Sequence, residues 1–272
     1  MKGTLYVVGT PIGNLSDFSE RAAEALDSVD FIAAEDTRVT LKLLNHFGIK
    51  KEMVSYYEHN KRERGEMICS RILAGEDCAI VTDAGMPAIS DPGQELVAQC
   101  AEYGITVAAV PGPTAFATAL AVSGMDTGRF TFEGFLSVSK KSRFAHLDEL
   151  KEEKRTMVFY EAPHKLANTL KDMYAAFGNR KLAIVRELTK MHEEVIRTTL
   201  GDATEKYADG SLKGEIVLII DGKKEEQQEI TLADAVARAK KLVDGGMSIS
   251  RAAKEIAAET PFKKADIYRE LI

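Results

Sequence analysis

Apolar runs alternate with amphipathic segments over the first 120 residues of the chain. The β-rich runs cover residues 4–9, 29–35, 78–82 and 106–110, and helix-like segments such as 19–28 and 94–103 lie between them. This strand–helix rhythm predicts a mainly parallel sheet covered by helices. Because crossovers in such sheets share one hand, the loops that follow the strands meet at one edge, where ligands bind.

The pattern changes after about residue 125. Helical periodicity covers about 142–153 and 164–177, and the candidate strands are Arg129–Phe135, Thr156–Tyr160, Leu182–Arg186, Val195–Leu200 and Glu215–Ile220. Turn-like stretches at 198–201 and 214–217 indicate some antiparallel pairing. The sequence therefore predicts an N-terminal parallel α/β subdomain over 1–118 and a second α/β subdomain over 119–222.

The last part of the chain has a helical pattern of its own. A charged stretch at 222–229 is typical of a linker, and helices are expected at about 232–244, 248–259 and 263–271. Their spacing resembles a helix-turn-helix unit within a C-terminal helical domain over 230–272. From residue 226 onward eight Lys and Arg balance eight Asp and Glu. Both an RNA contact and a small packing domain therefore stay open.

Charge and composition exclude several classes of protein. The net charge of −6 argues against a protein that coats nucleic acid nonspecifically, because such binding depends on neutralising phosphates. No run approaches the roughly 20 apolar residues of a membrane helix, and we expect no signal peptide at the start of the chain. Three cysteines without a C-x-x-C pair indicate buried free thiols. We expect a cytoplasmic protein with no membrane contact.

Three loops rich in glycine and proline follow predicted strands. They cover residues 9–14, 82–93 and 111–115, and they hold five of the seven prolines. Proline removes a backbone donor, whereas glycine allows the backbone to approach a ligand closely. This combination predicts a rigid rim that is poor in N–H donors, unlike a phosphate-binding loop.

Other ligand-binding patterns are incomplete or missing. Pro11 stands where the dinucleotide fingerprint G-x-G-x-x-G needs its second glycine, but Glu35 and Asp36 end a strand about twenty residues later, as in dinucleotide-binding folds. An NAD-dependent oxidoreductase is therefore an alternative. The sequence contains no G-x-S-x-G elbow and no histidine or cysteine spacing typical of a metal site. We expect no metal.

Six motifs occur in one order along the chain: T-P-I-G-N-L-x-D (10–17), A-A-E-D-T-R (33–38), T-D-A-G-M-P-x-I-S-D-P-G (82–93), P-G-P-T-A (111–115), F-Y-E-A-P-H (159–164) and R-E-L-T-K (186–190). Together they resemble the ribosomal small subunit methyltransferase I family, the 16S rRNA (cytidine-2′-O)-methyltransferases. That family has the tetrapyrrole-methylase fold of the class III S-adenosylmethionine enzymes. The resemblance extends over essentially the whole chain.

The resemblance implies a fold, an activity and partners. It implies two α/β subdomains with S-adenosylmethionine in the cleft between them, a small C-terminal helical domain, and a homodimer. The implied reaction is 2′-O-methylation of a cytidine ribose, cytidine 1402, in the decoding region of 16S rRNA. The implied partner is 16S rRNA in the small ribosomal subunit.

Within the same fold, a tetrapyrrole or a modified protein histidine is an alternative substrate. A non-enzymatic RNA-binding module is a third possibility.

The resemblance also implies residues that bind S-adenosylmethionine. Asp83 and Gly85 are expected near its ribose and amino-acid tail, and Pro11 near the transferred methyl group. The remaining implied contacts are to the tail or ribose from Thr114 and Ala115, and to the adenine from Tyr160, Leu188 and Ile216.

Several polar residues follow strands at the sheet edge where the loops meet, and these residues are candidates to act on the RNA. A base must remove the proton of the ribose hydroxyl, and the candidates are Glu35 or Asp36, then His59, then Glu187. Arg38 is expected to hold an RNA phosphate, because a guanidinium fork suits that group. Asn60 lies on the same side, and the predicted loop that contains Lys140, Lys141 and Arg143 forms a candidate RNA-binding patch.

Overall fold

The computed structural model describes residues 2–224 and 231–272. The chain folds into two compact units, one up to Lys223 and one from Lys224 to the C-terminus. The larger unit contains two five-stranded sheets, and the C-terminal unit is helical. Part of the predicted linker over 222–229 lies outside the described residues.

The first sheet is entirely parallel. Its elements, in chain order, are β1 (Thr4–Val8), α1 (Glu20–Ser28), β2 (Phe31–Ala34), α2 (Thr37–His46), β3 (Glu52–Ser55), α3 (Lys61–Leu73), β4 (Cys78–Val81), α4 (Gln94–Glu102) and β5 (Thr106–Val110). The strand order is β3-β2-β4-β1-β5. All loops after these strands therefore lie at the same edge of the sheet, as predicted.

Helices cover both faces of this sheet. One face packs α1 and α2 against residues such as Val8, Ile32 and Val81. The opposite face packs α3 and α4 and includes the three cysteines, which are buried and free. Strands β2 and β4 are buried along their whole length, which explains why they are continuous apolar runs instead of alternating ones.

The second sheet is mixed, as the turn-like stretches suggested. After α5 (Ala115–Ser123) come β6 (Phe130–Phe135), α6 (Lys140–Glu149), β7 (Thr156–Glu161), α7 (Leu166–Phe177), β8 (Lys181–Arg186), β9 (Glu194–Thr199), α8 (Leu200–Lys206) and β10 (Ile216–Ile220). The strand order is β6-β7-β10-β8-β9, and only β6 and β7 pair in parallel. The turn-like stretch at 198–201 contains the start of α8 at Leu200.

The two sheets meet through the loop that follows β1. Ile12 from this loop belongs to the same buried cluster as Ala119 and Leu120 of α5 and as Val185 and Val217 of the second sheet. The other face of the second sheet packs against α6, α7 and α8. The β1 loop is thus fixed between the two halves of the larger unit.

The C-terminal unit consists of α9 (Leu232–Asp244), α10 (Ile249–Glu259) and α11 (Lys264–Leu271). The three helices share a small core that includes Val236, Ile256 and Ile267. Thr231 and Asp234 form a capping box at the start of α9, which explains where this helix begins. All three helices start and end within two residues of their predicted positions. In residues 2–224 and 231–272, none of the helices combines the length and the apolar character needed to span a bilayer.

Candidate functional site

Two of the loops at the sheet edge pair with each other. Thr10 donates its backbone N–H to the Gly85 carbonyl at 2.9 Å, and Gly85 donates its N–H to the Thr10 carbonyl at 3.1 Å. The Thr10 hydroxyl also donates to the Thr82 carbonyl at 3.0 Å. Residues 10–13 and 82–85 therefore form a short two-stranded wall, which we call the partition.

The third loop contacts the partition through glycine backbone. Gly9 donates its N–H to the Val110 carbonyl at 3.1 Å. A Cβ on Gly9 would lie 2.7 Å from the Gly112 Cα, and a Cβ on Gly112 would lie 2.8 Å from the Gly9 Cα. The loops can approach this closely only because neither residue has a side chain.

A cavity lies on each side of the partition. The first cavity has a volume of about 400 Å³ and is lined by Ile12 from the partition. The second cavity has a volume of about 280 Å³ and is lined by Pro11 and Gly13. Pro11 and Ile12, which are adjacent in the chain, therefore line different cavities. Asp83 lines both cavities.

Five carboxylic acid residues line the first cavity, and three of them, Glu35, Asp83 and Asp91, come from loops of the first sheet. The Glu35 carboxylate accepts the N–H of Asp83 at 3.2 Å, and the Asp83 carboxylate accepts the N–H of Asp36 at 3.2 Å. Partial burial raises the pKa of Glu35 and of Asp83, and the charge of each neighbouring acid adds to the rise at Glu35. Burial, together with the charges of Glu35 and Asp83, raises the pKa of Asp91 to about 6. The cavity thus concentrates negative charge that a bound cation would stabilise.

The rest of the first cavity is mostly apolar. Leu188, Val185, Ile216 and Val217 come from the strands and loops of the second sheet. Tyr160 lies beside them, and its hydroxyl accepts the N–H of Phe116 at 3.1 Å, so its ring is held in place. This side of the cavity suits a flat aromatic ligand.

Strained backbone surrounds two of the lining residues. Among the described residues, the non-glycine positions with left-handed φ are Ala88 (69°), Ser90 (60°), Glu187 (50°) and Thr189 (64°). They flank Ile89 and Leu188, both of which line the first cavity. Such conformations cost about 1–3 kcal/mol each and cluster at functional sites.

Relief of this strain should stabilise the protein. We expect Ala88→Gly to raise the free energy of unfolding by about 0.5–1 kcal/mol, because glycine adopts φ of 69° without the Cβ clash. Ala175→Gly, at an exposed position of α7, is the matched control and should lower it by about 0.5–1 kcal/mol. Urea denaturation measures the free energy of unfolding of both variants. A loss of stability in Ala88→Gly would contradict the presence of backbone strain at this position.

The structure brings most of the predicted donor-binding residues to the first cavity. These residues are Asp83, Gly85, Thr114, Ala115, Tyr160, Leu188 and Ile216, together with the candidate base Glu35. Pro11 does not line this cavity, so its contact with the transferred methyl group stays a prediction. Pro11 lines the second cavity instead.

Asp36 and Arg38 form an ion pair at the start of α2. The Arg38 Nε and Nη2 atoms donate to the two carboxylate oxygens of Asp36 at 3.0 and 2.6 Å. The side-chain hydrogen bond from Arg38 holds the pKa of Asp36 at about 2, and neither residue lines the first or the second cavity. A carboxylate this acidic is poorly suited to accept a proton from an alcohol.

The other candidates outside the first cavity are held by local contacts. Asn60 accepts the N–H of Tyr57 at 2.8 Å and donates to the Ser55 carbonyl at 3.1 Å, which is a turn-stabilising arrangement. Glu187 accepts the N–H of Glu215 at 2.9 Å and the Lys190 ammonium at 3.1 Å, and these contacts lower its pKa. His59 is exposed and lines neither cavity.

The predicted basic loop is helical. Lys140, Lys141 and Arg143 lie in the first turn of α6, so their assignment to a loop is wrong. Arg143 donates to the Asp172 carboxylate at 2.8 Å and to the carbonyls of Ser137 and Val138, so its guanidinium is engaged within the protein. Lys140 and Lys141 are exposed and remain candidates for an RNA contact.

Sequence reasoning missed several lining residues of the first cavity. Asp91 precedes Pro92 and Gly93 and has the sequence of a turn, yet it lines the cavity. Others include Met86, Ile89, Ser90, Phe135 and Glu161. The 82–93 motif could have indicated Asp91, whereas Phe135 lies outside all six motifs. Among residues 2–224 and 231–272, no cluster of three or more His, Cys, Asp or Glu is arranged to hold a metal ion.

Comparisons with known proteins agree with this architecture. The family profile described as "Tetrapyrrole (Corrin/Porphyrin) Methylases" matches residues 4–204. The solved structure of uroporphyrin-III C-methyltransferase from Thermus thermophilus, complexed with S-adenyl homocysteine, has a TM-score of 0.58 at 18% identity and covers 80% of this chain and 97% of that one. A crystal structure of diphthine synthase has a TM-score of 0.61 at 13% identity and covers 80% of this chain and 90% of that one. The fold is therefore that of the tetrapyrrole methylases.

Relatives with higher identity define a narrower group. A protein named "Ribosomal RNA small subunit methyltransferase I" from Halalkalibacterium halodurans is 46% identical over 271 residues, which cover 98% of this chain and 94% of that protein. The protein of the same name from Synechocystis sp. is 45% identical over 272 residues, with coverage of 98% and 96%. The chain belongs to the ribosomal RNA small subunit methyltransferase I family of tetrapyrrole-methylase enzymes.

Proposed function

We propose that this chain methylates the ribose 2′-oxygen of a cytidine in 16S rRNA, with S-adenosylmethionine as the methyl donor. The expected target is cytidine 1402 in the decoding region of the small ribosomal subunit. The observation that carries the proposal is the first cavity, in which carboxyl groups adjoin an apolar pocket, in a chain of this family.

The residues of the first cavity fit the donor. When bound, S-adenosylmethionine supplies a methyl group on a positively charged sulfur that leaves as a neutral thioether. Asp83 and Asp91 would offset the positive charges of the ligand, while Tyr160, Leu188 and Ile216 would enclose its adenine. Thr114 and Ala115 lie at the N-terminus of α5, where backbone N–H groups suit the tail carboxylate. A ligand without phosphate explains why the loops offer few amide donors.

Glu35 is the candidate base that the geometry favours. It lines the first cavity, and its raised pKa brings its basicity closer to that needed for proton transfer near neutral pH. Asp36, His59 and Glu187 line neither cavity. The positioning of the hydroxyl by the cavity wall would supply most of the remaining rate enhancement.

The RNA would meet the protein around the open side of this site. Arg38 is 88% exposed at its side chain and can exchange Asp36 for a phosphate. Lys140 and Lys141 extend the positive surface on α6. We also propose, from the family resemblance, that the protein acts as a homodimer in the cytoplasm.

The reaction can be tested directly on small ribosomal subunits that lack the modification. We expect the wild-type protein to transfer one labelled methyl group per subunit from S-adenosylmethionine. Nuclease digestion and mass spectrometry should place the label on a cytidine ribose. Label on a base, or no transfer to either subunits or naked rRNA, would contradict the proposed function. A calorimetric titration with NAD serves as the control for the oxidoreductase alternative and should show no binding.

A further inference from the structure

The second cavity has no assigned role, although it shares a wall with the first. It lies between the partition and α2, and Asp83 is the residue that lines both cavities. A ligand in the second cavity would therefore meet the same carboxylate as a donor in the first. A reactant in the second cavity would reach the donor and Glu35 only at Asp83, where the two cavities adjoin.

A buried polar group without a partner lies at this cavity. Thr82 is 2% exposed, and its hydroxyl has no hydrogen-bond partner among the described residues. An unsatisfied buried hydroxyl costs about 1–3 kcal/mol, so its presence needs an explanation. The hydroxyl is closed off from solvent, so a ligand in the cavity would reach it only by rotation of the Thr82 side chain.

The remaining walls match the parts of a nucleotide. Pro11, Leu15, Val39 and Leu43 provide apolar surface on which a flat base can lie. Lys42 lines the same cavity and follows Arg38 by one turn of α2, so both cations lie on one face of the helix. Two cations beside an apolar slot suit a base with its adjoining phosphates.

We propose that the second cavity receives the target nucleoside, with its base between Pro11 and α2 and its ribose toward Asp83. This inference rests on the proposed function, because the occupant is part of the rRNA substrate. The volume of about 280 Å³ suits a single nucleoside that has left its base stack. Arg38 and Lys42 would hold the flanking phosphates.

A variant that fills the second cavity tests the proposal. We expect Val39→Trp to lower kcat/KM for small ribosomal subunits by about 100-fold, because the bulky ring takes the place of the base. The dissociation constant for S-adenosylmethionine, measured by calorimetry, should stay within about twofold of the wild-type value. Leu15→Trp fills the cavity from the opposite loop and should behave in the same way.

Leu41→Trp is the matched control. Leu41 lies on the same helix, is 46% exposed against 36% for Val39, and lines neither cavity. It should methylate subunits at the wild-type rate. Normal kinetics in both filled variants would overturn the proposal. So would loss of S-adenosylmethionine binding in both, because the second cavity would then belong to the donor site. Failure of the wild-type protein to methylate would instead overturn the proposed function.

Discussion

Glu35→Gln is expected to lower kcat for methylation of small ribosomal subunits by about 100-fold or more, the usual loss when a general base is removed. Gln keeps the size of the side chain and can still accept the N–H of Asp83, so the cavity should keep its shape. The affinity for S-adenosylmethionine should change little. Single-turnover kinetics with saturating donor would isolate the chemical step.

The matched control is Glu187→Gln, which makes the same chemical change outside both cavities. Its amide oxygen can still accept the N–H of Glu215, so methylation should stay within about threefold of wild type. If the two variants lost activity equally, or if Glu35→Gln stayed active, Glu35 would not be the base.

The pH dependence of kcat provides a second readout of the same group. A base must be ionised to accept a proton, and burial raises the pKa of Glu35 above its ordinary value. Activity should therefore fall as the pH is lowered through this raised pKa, before an ordinary carboxylate would titrate. In Glu35→Gln the residual activity should lack this acidic limb.

The strand-and-loop framework could be predicted from the sequence because its signals are local. The apolar runs 78–82 and 106–110 correspond to β4 and β5 within one residue, and the position of their loops at one edge follows from parallel pairing. Asp83, Thr114 and Glu35 all follow strands of this sheet, and they line the same cavity. The family resemblance added residues of the second sheet, such as Tyr160 and Leu188.

The division into two cavities could not be predicted, because it depends on a contact between distant loops. Only the folded loops show that Pro11 and Ile12 line different cavities. Local contacts likewise decide that Asn60 and Glu187, although they follow strands, are held within the protein. Asp91 precedes a proline and a glycine, so its turn-like sequence concealed its place in the cavity.

Asp91→Asn should weaken the binding of S-adenosylmethionine and yet stabilise the free protein. The carboxylate faces the cavity that would hold a cationic ligand, so we expect its removal to raise the dissociation constant about tenfold at pH 7.5, equivalent to about 1.4 kcal/mol. In the wild-type protein the affinity should fall as the pH drops through about 6. Calorimetry at several pH values would show whether the variant loses this dependence.

The stability of Asp91→Asn follows from the same raised pKa. Because the pKa is about 6 in the folded protein and about 3.9 in the unfolded chain, the folded protein binds this proton more tightly. The carboxyl group therefore destabilises the fold increasingly as the pH rises from about 4 to 6, and by a constant amount above that range. We expect the free energy of unfolding of the variant to exceed that of the wild type by about 1 kcal/mol at pH 8, after allowance for solvent screening of a half-buried group. At pH 3 the two free energies should be equal. Asp209→Asn, at an exposed aspartate whose pKa is lowered by Ser211, should show no gain. A stabilised variant with reduced affinity would indicate that the cavity keeps an unfavourable charge in order to bind a cation.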